Sequence, residues 1–447
     1  MRSLFVALHR WAGLFIAAFL FVTGLTGAVI SWDHELDEWL NPHLNDARAA
    51  GPARDPLELV AEVEARHPQV RVTSLPLAAE PGHSYSFWVE PRVDPATDRL
   101  HEPGYNQIFV DPASGEELGQ REWGAVWPIT RENFVSFLYK LHFSLHIPEI
   151  AGNDHWGLWL LGVVALIWTV DCFTGVYLTL PARRRARAAA KVEALAAEAE
   201  TLAAEDQLAA DKPTASPLQR SGWQRWKPAW KVRWRGGPYQ LNFDLHRAGS
   251  LWTWGLLFIV AFTAFSLNLY REVFFPVMTL VSDATPSPFE LREPRPMNRP
   301  IAETYGYREA VDKARAEAQR RGWDAPPGSM FYSPEFGIYG VAFFRPEEGH
   351  GAGGVGHRSL YFDGVDGSLL GSREPWTGTA ADLFVQAQFP LHSGRILGLP
   401  GRILISAMGL VVAMLSVTGV YIWWKKRKAR LKKAAATARS TLAGAAR

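Results

Sequence analysis

The sequence predicts a membrane α-helical fold: a four-helix transmembrane bundle built from two tandem repeats, each carrying an extracytoplasmic α+β lobe. Three observations lead there. The chain has four long apolar runs, its cations are placed unevenly around them, and short motifs recur in the same order in both halves. There are 447 residues, with 47 Lys+Arg against 45 Asp+Glu; a net charge of +2 supplies no bulk attraction for nucleic acid. Mean hydropathy is close to zero because the apolar residues are gathered into blocks. A lone Cys172 excludes internal disulfides, a cysteine zinc site, a thiolate iron–sulfur cluster and a covalently attached c-type haem.

About 18 uncharged apolar residues suffice for a helix to cross the hydrocarbon core. Residues 13–30 are uncharged and lie between Trp11 and Trp32, as an aromatic belt requires. Residues 156–180 are apolar except for Asp171, residues 251–269 carry no charge, and residues 403–424 end in a tryptophan pair. The predicted spans are 1–32, 151–181, 246–270 and 401–425, with lobes at 33–150 and 271–400, a linker at 182–245 and a basic tail at 426–447. Arg2 and Arg10 precede the first span, Arg183, Arg184, Arg185 and Arg187 follow the second, and Lys425, Lys426, Arg427 and Lys428 follow the fourth. Asp33, Glu35, Asp37 and Glu38 lie just beyond the first. The positive-inside rule then makes both termini cytoplasmic in a multi-pass protein. No small-residue cleavage site precedes Trp32, so the first run reads as a retained anchor rather than a signal peptide.

The halves repeat each other. Leu8-His9-Arg10 matches Leu245-His246-Arg247, Phe143-Ser144-Leu145-His146 matches Phe389-Pro390-Leu391-His392, and Thr174-Gly175-Val176-Tyr177 matches Thr418-Gly419-Val420-Tyr421. Each outer segment has a helical stretch, 56–67 and 307–322, followed by alternating, turn-rich sequence. Strands run into tight turns at 111–115 and 363–367. In the linker, residues 189–211 have a helical composition. Residues 219–236 interleave Trp223, Trp226, Trp230 and Trp234 with Arg225, Lys227, Lys231, Arg233 and Arg235, which suits the headgroup region of a membrane better than nucleic acid.

The antiparallel topology brings His9 and His246 to the cytoplasmic edge, and His142, His146 and His392 to the opposite one. A lone interfacial histidine is more often structural, but matched placement across a duplication favours a ligand role. Two sets drawn from both halves meet the minimum for holding two haems axially through imidazole nitrogen, in a bundle whose facing helices each supply one ligand. His142 and His146 are four residues apart and share a helix face; the FSLH/FPLH match points to His146. Gly13 and Gly249, about a turn beyond His9 and His246, leave room for a flat macrocycle or for a close helix. Arg10, Arg247, Arg395 and Arg402 are candidate partners for haem propionates, although Arg10 and Arg247 also fit the positive-inside bias. His34, His43, His67, His83, His101, His155, His350 and His357 read as solvated lobe residues. Asp171 is either a functional carboxylate, for proton handling or a quinone head, or a buried one bonded to a neighbouring helix. The G-x-G-x-x-G at 351–356 lacks a following helix and reads as a loop tip. No P-loop, nucleophile elbow or HExxH signature occurs, and no catalytic residue is assigned.

These residues resemble a known family. Leu8-His9-Arg10-Trp11 with Gly13, Leu138 through His142 to His146, Asp244-Leu-His246-Arg247, and Leu391-His392-Ser-Gly394 with Gly398 and Gly401 look like the PepSY-associated transmembrane helix proteins. The turns at 111–115 and 363–367 look like the ends of PepSY-type lobes. The resemblance covers nearly all of the chain except the linker, and its "LH" position favours His142 over His146. Members similar to this chain are bacterial inner-membrane proteins linked to iron uptake, some of them ferric-siderophore reductases with two b-type haems. The resemblance therefore implies two haems b, an electron donor that is a quinol or a cytoplasmic reductase, and a ferric siderophore or other ferric chelate as acceptor. It also implies contact with membrane lipid, and no nucleic acid. An electron would enter at His9 and His246 and pass to His392 with His142 or His146. It would then reduce the chelate in a cleft between the lobes. The rival readings are a non-catalytic PepSY protein that binds peptide or regulates a protease, and a siderophore or iron permease.

Overall fold

The computed structural model describes residues 1–181, 222–348 and 351–445. Arg183, Arg184, Arg185 and Arg187, the helical stretch expected at 189–211, and His350 lie outside the described residues. Four helices are long and apolar enough to cross a membrane: α1 (Arg2–Ile30), α4 (Trp156–Thr179), α5 (Pro238–Asn268) and α8 (Leu399–Ala445). Helix is the form an apolar segment takes in lipid, because it satisfies every backbone donor and acceptor within the segment. Exposed Phe15, Val170, Phe173, Trp252, Leu410 and Val417 show that each helix keeps large apolar side chains uncovered. Among the shorter elements are helices α2 (Pro56–Arg66), α3 (Phe134–Ser144), α6 (Tyr307–Arg320) and α7 (Ala380–Ser393). The strands of the main sheet are β1 (Val70–Pro76), β2 (Tyr85–Pro91), β3 (Gln107–Val110), β4 (Glu117–Arg121), β5 (Pro327–Ser333), β6 (Ile338–Phe343), β7 (Arg358–Asp363) and β8 (Leu369–Arg373).

The chain divides into two compact units, and every span contributes to both. The first comprises Met1–Gly24, Val163–Phe262 and Leu410–Arg447. Here the indole of Trp254 on α5 donates to the Cys172 carbonyl on α4 at 3.0 Å. The tryptophan-rich segment packs onto helix ends. Trp226 donates to Thr179 Oγ1 at 3.1 Å, Trp252 donates to the Trp230 carbonyl, and Trp223 and Trp230 both meet Trp226 edge-on. Arg233 grips the fully buried Asp244 with two bonds of 2.6 and 2.8 Å. Part of the segment expected to face lipid is thus occupied by protein, while Trp223 and Trp234 remain exposed.

The second unit comprises Leu25–Gly162 and Thr263–Gly409. It holds one eight-stranded antiparallel sheet, ordered β8-β7-β6-β5-β1-β2-β3-β4. Each half of the chain supplies four strands and one helix, α2 or α6. The halves meet at the centre, where β1 pairs β5 with Ser74 opposite Phe331 and Leu75 opposite Met330. Leu59, Val63, Phe87 and Ile108 from the first half and Ala314, Met330, Tyr339 and Leu360 from the second form one buried cluster. The two α+β segments therefore do not stand apart with a cleft between them; they share a sheet and a core.

The two expected turns are geometrically alike. Asp111 N–H donates to the Glu116 carbonyl and Gly115 N–H to the Asp111 carbonyl; Asp363, Ser368 and Gly367 repeat the pattern. Gly115 and Gly367 sit at φ +75° and +74°, which other residues rarely adopt. Burial works against ionisation of Asp111. The N–H groups of Ala49, Ser114 and Arg48 outweigh it, and they hold the carboxyl well below the usual range.

Candidate functional site

His9 sits near the start of α1 and His246 near the start of α5, and both belong to the first unit. Their ring centres are 6.3 Å apart, with the planes 58° to one another. Each ring lies against a threonine–glycine step on another span. His9 Nδ1 donates to both oxygens of Asp171 at 2.9 Å, and a Cβ on Gly175 would lie 3.6 Å from its Cε1. His246 Nδ1 donates to the Leu415 carbonyl and to Thr418 Oγ1, each at 3.1 Å, and Gly419 lies under the ring. A carboxylate and a carbonyl only accept, so both imidazoles carry a proton on Nδ1, and Nε2 is the nitrogen left for a ligand role. The Thr418 hydroxyl proton goes to the Met414 carbonyl at 2.8 Å, so its oxygen accepts from His246.

The second unit repeats the arrangement. His142 on α3 and His392 on α7 have ring centres 6.1 Å apart at 54°. His142 Nδ1 bonds Thr26 Oγ1 at 3.2 Å on α1, and His392 Nδ1 bonds Thr263 Oγ1 at 3.0 Å on α5. Gly27 lies under His142, so close that a Cβ there would sit 2.8 Å from Cε1. These histidines are carried on short helices ahead of α4 and α8 rather than on the spans themselves. A glycine at the start of each following span lets it press on the end of the histidine helix. A Cβ on Gly157 would fall 2.0 Å from the Ser144 carbonyl, and one on Gly401 1.9 Å from that of Gly394. Thr379 and Asp382 cap the start of α7 reciprocally.

His146 does not join this site. Helix α3 ends at Ser144, and Leu145 and His146 both turn left-handed, at φ 55° and 52°. That reversal stacks the His146 ring on Phe137 at 4.5 Å and bonds its Nε2 to the Phe137 carbonyl at 2.8 Å. The FSLH/FPLH match therefore aligns the wrong histidine, and Leu-His at 141–142 and 391–392 aligns the right one. Of the arginines, Arg10 lies over the Trp11 ring at 5.0 Å, with Nε buried and without a bond. Arg247 donates to Asp244 and to the Pro228 carbonyl, while its Nε is likewise buried and unbonded. Arg395 faces Asp33 at 3.4 Å, and Arg402 bonds Glu35 at 2.6 Å. Those two, expected at propionates, are held by carboxylates of the chain itself. Gly13 has open space where a Cβ would stand, whereas Gly249 packs on Met414. His67 is not solvated either; it bridges Glu117 at 2.8 Å and the Tyr105 hydroxyl at 2.9 Å. In the 351–356 loop, Gly351 bridges Gly356, and the flanking His357 stacks on Phe344 at 4.0 Å, with no helix following.

What sequence reading missed was the floor of each pair. Thr174-Gly175 and Thr418-Gly419 are visible in the sequence as a repeat without a role, and Thr26-Gly27 and Thr263 carry no motif that marks them. Their signal is a threonine before a small residue, which occurs at least once in every span. Asp171 resolves as the hydrogen-bond partner of His9.

Each pair draws one histidine from each half of the chain. The sequence profile described as the PepSY-associated TM region matches twice, over residues 6–204 and 217–426. The chain belongs to this family. The two matches coincide with the two halves, so the duplication is that of a whole PepSY-associated TM region. A comparison with curated proteins finds no match. Membership and four apolar helices make this a multi-pass membrane protein in contact with lipid.

Proposed function

We propose that this chain is a bacterial inner-membrane electron conduit. It would hold two b-type haems and reduce a ferric siderophore, or another ferric chelate, on the periplasmic side. The observation that carries the reading is the pair of imidazole spacings, 6.3 and 6.1 Å. A metal–imidazole bond is about 2 Å and the ring centre lies about 1 Å behind the nitrogen, so two rings on opposite sides of one metal are about 6 Å apart. Among the described residues there is no group of three or more metal-ligating side chains. A metal between two imidazoles would then take its remaining ligands from its own cofactor, which suits a porphyrin.

His9 and His246 would hold one haem, and His142 and His392 the other. The bound haems supply one-electron chemistry that no side chain here provides. Asp171 and the Leu415 carbonyl would fix the tautomers of His9 and His246, and the hydroxyls of Thr26 and Thr263 would anchor His142 and His392 through Nδ1, leaving Nε2 of each ring for the iron. The buried, unbonded Nε atoms of Arg10 and Arg247, one residue after the first two histidines, are donors left for an anionic group. The α+β segments read as PepSY-like lobes, and the unit that contains them also contains the His142–His392 pair. The ferric chelate is met on that side, with both termini cytoplasmic and a quinol or a cytoplasmic reductase as donor. Siderophore oxygens are hard ligands that favour ferric iron, so reduction loosens the chelate.

The test is a reduced-minus-oxidised visible spectrum of protein purified after expression with ample haem. Two b-type haems per chain are expected, with about half of the signal lost in His246→Ala. A colourless protein would end this reading and favour the peptide-binding or permease alternatives. Reduced protein mixed with ferric chelates should reoxidise; failure to do so with any of them removes the substrate assignment.

A further inference from the structure

The duplication is broken at a position that touches a histidine. Thr174-Gly175 and Thr418-Gly419 are equivalent, and three residues before each threonine stand Asp171 and Leu415. His246 therefore gives its Nδ1 proton to neutral oxygens, the Leu415 carbonyl and the Thr418 hydroxyl. His142 and His392 likewise bond hydroxyls, of Thr26 and Thr263. His9 instead bonds a carboxylate, and both Asp171 oxygens lie 2.9 Å from Nδ1. The Asp171 side chain is 10% exposed and is fixed from below by the Thr174 hydroxyl at 2.5 Å. A buried carboxylate inside a span is costly, and here its partner is a proposed iron ligand.

We infer that Asp171 is a positioning residue that makes the His9–His246 site the lower-potential of the two. The inference rests on the haem reading above and extends it. A hydrogen bond from imidazole to carboxylate raises the basicity of the ligating nitrogen and adds negative charge beside the metal, and both favour the ferric state. At the other site the Nδ1 bonds to the Thr26 and Thr263 hydroxyls bring no such charge. With haems held by the two pairs, such a difference would favour transfer from the His9–His246 end, supplied by the quinol or reductase, toward the His142–His392 end and the ferric chelate. The polarity of the conduit is thus written in one side chain that the second half of the chain does not share.

Spectroelectrochemical titration of the purified full chain tests this, comparing wild type with Asp171→Asn, which keeps the shape and an acceptor but removes the charge. Two one-electron components are expected in the wild type. In the variant, the lower component should move upward by at least a tenfold change in ferric preference, about 59 mV for one electron, while the upper component stays in place. Asp171→Glu, which restores the charge, should return the lower component toward its original position. An unmoved lower component with both haems retained would overturn the inference, as would movement of the upper one. Loss of one haem from Asp171→Asn would overturn it in favour of a carboxylate that only holds the ring in place. Wild-type protein with no haem would defeat the parent reading instead, and the inference with it.

Discussion

An imidazole lying on a helix can approach the backbone only where the residue beneath it is small, and three of the four rings test this to different degrees. A Cβ at position 27 would sit 2.8 Å from His142 Cε1, and one at 419 would sit 3.1 Å from His246; at 175 the distance to His9 is an ordinary 3.6 Å. Alanine stabilises a helix interior by about 1 kcal/mol over glycine, so any harm done must come from the ring. Gly27→Ala is expected to displace His142 and lower haem content by about half, whereas Gly175→Ala should leave haem content unchanged and melt slightly higher. Haem-to-protein ratios and thermal melts in detergent check both. His146 gives a sharper contrast. Its nitrogen bonds the Phe137 carbonyl, and burial, ahead of the nearby Lys140, holds its pKa below the usual value against the pull of that carbonyl. His146→Ala should therefore retain both haems, and His142→Ala should lose one, as read in the same spectra.

The spans and lobe helices were legible because their signal is local: uncharged runs for α1, α4, α5 and α8, and a cap with Pro56 at the first position for α2. The end of α3 was not. A left-handed turn usually announces itself with glycine, as at Gly394 after α7, but here Leu145 and His146 make the turn without one. The β1–β5 seam was equally hidden, since strand alternation says which face is buried but not which distant strand is the partner. Near that seam lies Glu90 on β2, paired in register with Arg71. The Arg71 guanidinium goes instead to Glu303, leaving Glu90 Oε2 buried without a bond. Burial first, then the Glu335 carboxylate, push the Glu90 carboxyl up to about 7. A carboxyl raised in the folded state contributes its full stability below the unfolded value near 4.3 and loses it as pH climbs through about 7. Glu90→Gln should therefore match wild type at pH 5 and exceed it at pH 8 by on the order of 2–3 kcal/mol. Denaturation of the detergent-solubilised chain at the two pH values decides.

At the scale of the whole molecule, neither half is complete. His9 faces His246, His142 faces His392, and β1 seeks β5, each pair one residue or strand from either repeat. Residues 1–204 or 217–447 expressed alone should bind no more than traces of haem, and co-expression of the two should restore a substantial share. Haem bound tightly and stoichiometrically by a lone half would contradict the interlocked arrangement. Pairing across the bundle was legible from the repeated histidines, whereas the chemistry beneath each ring was not. A threonine or an aspartate in an apolar run names no partner until the helices are placed side by side.

The exchange of ligands between repeats also bears on ancestry. Two identical single-repeat chains could assemble the same centres, but mirror-like partners are bound to supply identical neighbours to both rings of each pair. Joining them in one polypeptide lifts that obligation, so that a change such as aspartate opposite leucine arises on one side alone and turns a palindromic scaffold into a device with a front and a back.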